Sequence, residues 1–158
     1  MARRQQAAAP SASEKEHASY DKDFYTWSQE QGRLVRDGRW GDVDRENVAE
    51  EIESLGREQF NKLESAIRVI LIHMLKWDHQ PERRSRSWAL SIATQRTELE
   101  DILDDNPGLK PRIGEAIVRA YRRARLEAMN ETGLKKSTFA DVCPYSFDDI
   151  TSRPFDYE

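Results

Sequence analysis

From Asp44 to Trp77 no proline interrupts the chain, and apolar residues recur at helical spacing all the way. Val48, Ile52, Leu55, Gln59, Leu63, Ala66, Ile70, His73 and Trp77 fall on one stripe of a helix with 3.6 residues per turn. Asp44 suits the N-cap and Glu46 the first turn. Gly56 costs about 1 kcal/mol against alanine inside a helix and marks either a kink or a close helix contact. Beyond Ala66 the helix becomes apolar nearly all round, with Ile67, Val69, Leu71, Ile72, Met74 and Leu75 joining the stripe. Such a helix must be enclosed by others, so this stretch is expected at the centre of a core. Pro81 ends it at or before Gln80.

The rest of the chain supplies the enclosing helices. Asp21–Asp37 reads as a first helix, with Phe24, Trp27, Gln31, Leu34 and Val35 on one face, Asp21 or Ser19 as cap and Gly38 as stop. Ser85–Asp105 reads as a third, with Trp88, Ile92, Gln95, Leu99, Ile102 and Leu103 on its face. Pro107–Thr132 reads as a fourth, with Asn106 as cap and Gly133 at the position past its end. Its face is Ile113, Ile117, Ala120, Ala124 and Ala128, and the alanines let another backbone come close. Leu134–Glu158 is irregular, apart from a capped helical turn at Ser146-Phe147-Asp148-Asp149. No strand pair and no internal repeat is legible. The expected fold is all-α: a bundle of four main helices with a long central helix and a short irregular C-terminal segment. Residues 1–19, rich in Ala, Gln, Ser and charge, are expected as a disordered tail, and residues 20–158 as a single helical domain.

Class follows from what is missing. The longest apolar run, Val69–Leu75, is far short of the roughly 20 residues that span a bilayer. Met1-Ala2-Arg3-Arg4 is followed by no apolar stretch, so no export signal is read and a cytoplasmic location is expected. One cysteine, Cys143, can form no internal disulfide. The net charge of −4 excludes a strongly basic nucleic-acid binder, but charge is laid down in blocks. Asp42–Glu58 holds seven acids and two bases, and Lys110–Glu127 six bases and two acids. Arginines outnumber lysines, which suits either internal ion pairs or anion recognition.

Three groups of residues invite a chemical reading. The stretch from Lys76 to Trp88 places Arg83, Arg84 and Arg86 at the start of the third helix, between two tryptophans. With Lys76, Gln80, Trp88, Gln95 and Arg96 it forms a candidate anion site, in which arginines bind phosphate and a tryptophan stacks. The alternative is a connection whose tryptophans pack in the core and whose arginines pair with acids. Glu50, Glu53 and His73 form a candidate polar cluster, but on a continuous helix Glu53 and His73 are about 30 Å apart. They share an ion only if the helix folds back near Gly56, so no metal and no cofactor is expected. Arg119, Arg122, Arg123 and Arg125 make a second basic stripe, read as a solvated face paired with Glu115 and Glu127 or as a binding surface. Cys143 reads as a packed small residue; Pro144 and Tyr145 after it supply no base.

Several motifs in order carry a family resemblance. They are Tyr20-Asp21-x-Asp23-Phe24-Tyr25-x-Trp27, Leu34-x-x-Asp37-Gly38 and Asp44-x-x-Asn47-x-Ala49-Glu50-Glu51-Ile52-Glu53-Ser54-Leu55-Gly56. Then follow His73-Met74-Leu75-Lys76-Trp77-x-x-Gln80-Pro81, Arg84-Ser85-x-Ser87-Trp88, Gln95-Arg96, Glu131-Thr132-Gly133-Leu134 and Cys143-Pro144-Tyr145. Over residues 20–158 the chain resembles the bacterial family described as domain of unknown function 29. The resemblance implies a small, all-helical, cytoplasmic protein and leaves its activity open. It also directs interest to Asp21, Asp23, Asn47, Glu50, Glu51, Glu53, His73, Lys76, Trp77, Gln80, Arg84, Ser87, Trp88, Gln95, Arg96 and Cys143.

With no catalytic set in view, the expected function is a non-enzymatic helical interaction module that binds a protein partner or itself. A phosphate- or nucleic-acid-binding protein using residues 83–96 is the alternative. A metal-dependent enzyme using the acids and His73 is a weaker one.

Overall fold

The computed structural model describes residues 19–156. The expected tail, but for Ser19, lies outside them. Five α-helices follow in order: α1 (Phe24–Arg36), α2 (Arg45–His79), α3 (Arg86–Asp105), α4 (Ile113–Thr132) and the short α5 (Phe147–Ser152). Three 3-10 turns, Pro81–Arg83, Pro107–Arg112 and Lys136–Thr138, lie between them. No strand occurs among the described residues. The fold is all-α with four main helices, as the periodicity implies.

The local chemistry of the caps sets the boundaries. The cap of α1 is Asp23, which accepts from the Thr26 amide at 3.0 Å, rather than Asp21 or Ser19. Ser85 caps α3 and accepts from the Trp88 amide. Ser146 and Asp149 form a reciprocal capping box on α5. Gly38 and Gly133 follow α1 and α4 at φ values of 70° and 72°, the left-handed region glycine enters without strain. The fourth helix starts later than its sequence pattern suggests. Pro111 has no amide to donate, and its ring opposes an α-helical turn, so Pro107–Arg112 winds as 3-10.

The chain divides into two compact units, Met1–Ile52 and Glu53–Glu158, with the boundary inside α2. In the first unit Trp27, Gln31 and Leu34 of α1 are buried. The Trp27 indole donates to Asp44 at 3.2 Å, and the Gln31 side chain accepts from the Asp44 amide at 2.8 Å. Tyr20 stands edge-on to Trp27 and donates to Glu51 at 2.5 Å. That bond to a carboxylate pushes the Tyr20 phenol up to about 12. Hydrogen bonds led by the Asn47 side chain hold the Asp44 carboxyl below its usual range, even against some desolvation.

In the second unit α2 is the core. Phe60, Leu63, Ala66, Ile67, Ile70, Leu71, Met74 and Leu75 are buried against Ile92, Leu99, Ile102 and Leu103 of α3 and the alanine face of α4. Ala116, Ala120, Ala124 and Ala128 are fully enclosed. Phe139 and Ile150 complete the core from the C-terminal segment.

The long stripe on α2 is only half a core. Ile52 and Leu55, expected inside, are 64 % and 63 % exposed. A helix of 35 residues outruns α3 and α4, which have 20 each, so part of its apolar face is left uncovered. α2 runs through Gly56 without a break, and a Cβ there would meet nothing within 4 Å.

Candidate functional site

The polar connection between α2 and α3 spends much of its donor capacity on its own chain. Lys76 Nζ lies 2.6 Å from Glu131 and 4.6 Å from the Trp88 ring centroid. Buried Gln80 donates to the Thr132 carbonyl at 3.4 Å. Arg84 donates through Nε to the Trp77 carbonyl and stacks over the Trp77 ring at 5.2 Å. Arg96 donates to the Ile150 and Asp149 carbonyls at 2.7 and 3.0 Å, fastening α3 to α5. Desolvation, then the neighbouring Arg153 charge, lowers its pKa. Trp77 is buried and Trp88 half-buried. Arg83 and Arg86 are exposed and, among the described residues, their side chains make no hydrogen bond or ion pair. Arg86 and Gln95 do come together, with Ser87, Ser91 and Thr94, along an open groove of about 520 Å³.

A tighter polar cluster stands behind this connection. Asp78 accepts two bonds from Arg153, at 2.9 and 2.5 Å, and one from the Tyr145 hydroxyl at 2.8 Å. Burial works to raise the Asp78 pKa, but these donors outweigh it and hold the carboxyl below 3.8. Burial and the carboxylate beside it push the Tyr145 phenol far up. A depressed carboxyl adds stability above its unfolded value and loses it as pH falls through the folded one. Asp78→Asn is therefore expected to lower the thermal midpoint at pH 7 and to flatten the loss of stability below pH 3.8. Melting curves at pH 7 and in acid check this; an unchanged midpoint at pH 7 would remove the clamp from the account.

The acidic residues and His73 are not brought together. Glu50 and Glu53 are exposed, and Glu53 pairs with Arg57 at 3.6 Å. His73 donates through Nδ1 to the Val69 carbonyl at 2.8 Å, one turn back on the same helix. Since α2 is unbroken, the ~30 Å between Glu53 and His73 stands. Among the described residues no group of three His, Cys, Asp or Glu is placed to hold a metal.

The surface that stands out instead lies along α4. Val118, Tyr121, Arg122 and Leu126 of α4, with Val142 and Cys143 of the following segment, line a largely apolar cleft of about 350 Å³. Val118 and Val142 are 69 % and 77 % exposed, and Leu126 is also open. Arg119, Arg122, Arg125 and Lys136 contribute to the same cleft. Arg125 is committed to Asp141 at 2.6 Å and to the Lys136 and Phe139 carbonyls. Arg119 lies 3.0 Å from Glu64, a carboxylate buried in α2, and Arg123 meets the same group at 3.0 Å. Arg122 and Lys136 have no side-chain partner among the described residues. Burial raises the Cys143 thiol, so this wall of the cleft carries a neutral group rather than a thiolate nucleophile.

The basic stripe of α4 was legible from its spacing; the cleft was not. A hint lay in Val118, Arg122 and Leu126, four residues apart, on a face the alanines do not use. The opposite wall depends on where residues 136–143 run, which no local pattern gives.

Among the described residues no helix is long and apolar enough to cross a membrane. No curated protein and no solved structure matches the chain. A family profile does, over residues 19–156: the chain belongs to the family described as domain of unknown function DUF29.

Proposed function

We propose that the protein is a non-enzymatic cytoplasmic interaction module whose α4 cleft takes an apolar anchor from an acidic helical segment of a protein. The observation that carries this is the cleft itself. It offers exposed Val118, Leu126 and Val142 as a floor, with unpaired cations, Arg122 and Lys136, at its rim. Exposed apolar side chains framed by charge are how helix-in-groove surfaces present themselves. Guanidinium groups at the rim select an acidic partner and speed its approach more than they add affinity.

Arg86, with an unpaired side chain on the groove along α3, and Arg83, unpaired in the turn before it, favour a second reading: binding of a phosphate-bearing polymer. One experiment separates the two. The protein and its Val118→Asp, Val142→Asp and Arg83→Ala/Arg86→Ala variants are used as bait in lysate, with protein and nucleic acid measured at low and high salt. The cleft reading expects an acidic protein that survives high salt and drops about tenfold or more with either aspartate. The second reading expects nucleic acid released by salt and lost with the double alanine. The same captured protein on the wild type and both aspartate variants would defeat the first.

A further inference from the structure

Two features described separately fit each other. One is the α4 cleft, apolar at its floor and cationic at its rim. The other is the uncovered face of α2, where Ile52 and Leu55 stand exposed one turn apart. On that helix Glu51 and Glu58 border the pair on its Leu55 side, by the 100° step of an α-helix, while Glu53 lies a further 100° round beyond Ile52. Glu46, Glu53 and Glu58 are exposed. Gly56 is exposed on the same face with open space above it, leaving room for another backbone to come near.

We infer that the cleft's occupant is the Ile52–Leu55 face of a second copy of this chain, an inference that rests on the α4 cleft being a binding surface. Two apolar anchors at i and i+3, bordered by acids, are what an apolar floor with a cationic rim accepts. Charge is opposite in sign on the two sides. Residues 42–58 hold seven acids against two bases, and residues 110–127 six bases against two acids. In the isolated chain the two apolar anchors are in water, Arg122 and Lys136 have no side-chain partner among the described residues, and the bordering acids are met only by residues of their own unit, Glu51 by Tyr20 and Glu58 by Lys62. Cleft and stripe are different patches, so each contact is heterologous. The assembly closes as a pair when both contacts form about a two-fold axis, and lengthens when they do not.

The test uses the full chain in sedimentation velocity over a range of concentrations. The wild type is expected to rise in mass above 18.4 kDa with concentration, and less so at high salt. Leu55→Asp blocks the stripe and keeps the cleft; Val142→Asp blocks the cleft and keeps the stripe. Each alone is expected to weaken association about tenfold or more. Mixed together they are expected to associate again, because one intact stripe meets one intact cleft. Both substitutions replace exposed residues, and circular dichroism shows whether helicity is kept. If a variant loses helicity, the reversal pair Arg122→Glu and Glu58→Arg takes its place: each weak alone, restored when mixed. A monomeric wild type, or a mixture that stays monomeric, overturns the inference. If the wild type is monomeric while Val142→Asp still abolishes capture of an acidic protein, only the self-docking fails. If that capture is unaffected too, the cleft reading fails with it.

Discussion

Replacing Leu71 by alanine lowers the unfolding free energy by about 2–5 kcal/mol, while Leu55→Ala changes it by no more than about 0.5 kcal/mol. Both leucines belong to the same long apolar helix. Leu71 is fully enclosed by α3 and α4, so its loss removes transfer energy and leaves a cavity. Leu55 is mostly in water already. Urea unfolding followed by circular dichroism measures both. Since single domains of this size have only about 5–15 kcal/mol in total, Leu71→Ala takes a large share of it. Equal costs for the two substitutions would mean that the face around Leu55 is covered in the folded protein. The unfolding is done at low protein concentration, where self-association contributes little.

The ion cluster at Glu64 gives the second large effect, and it is asymmetric. Glu64 is buried in α2, whereas Arg119 and Arg123 reach it from the surface with roughly half their side chains in water. Removing both cations with Arg119→Ala/Arg123→Ala strands a buried carboxylate and is expected to cost about 3–5 kcal/mol. Glu64→Leu instead returns two arginines to solvent and fills the site with an apolar group, so it is expected to cost clearly less. Denaturant midpoints for the two variants decide it. A Glu64→Leu cost equal to or above that of the double variant would show that the carboxylate organises the helix pair in some other way. Arg119 also stacks over Phe60 at 5.2 Å, with Arg112 closer at 3.9 Å, so part of any loss is packing.

Helix count and class were legible because period, caps and stops all pointed one way. Asp44, Ser85 and Ser146 were readable as caps, and Gly133 as a stop, because each satisfies a backbone requirement within its own turn. What failed was whatever depends on a distant neighbour. The stripe from Val48 to Trp77 is continuous in sequence, yet burial starts only at Phe60, since period tells which face is apolar and not what covers it. Glu64 sits at a core position that no pattern of hydrophobicity would give to a carboxylate; its partners come from another helix. Arg84 and Arg96 read equally well as ligands or as braces until Trp77, Asp149 and Ile150 are seen to accept from them. The cleft needed the path of residues 136–143.

The closure of the core by Phe139 and Ile150 bears on how the chain is made. On a ribosome the three long helices are complete while the residues that plug them are still unspoken. Until Phe139 and Ile150 arrive, the core built by α2, α3 and α4 is incomplete. Arg96 then lacks the carbonyls it braces, and Asp78 the arginine that neutralises it. A message cut short after α4 would therefore yield almost all of the helix content and little of the finished protein. For this chain, the segment that follows α4 is what turns a set of helices into a closed core.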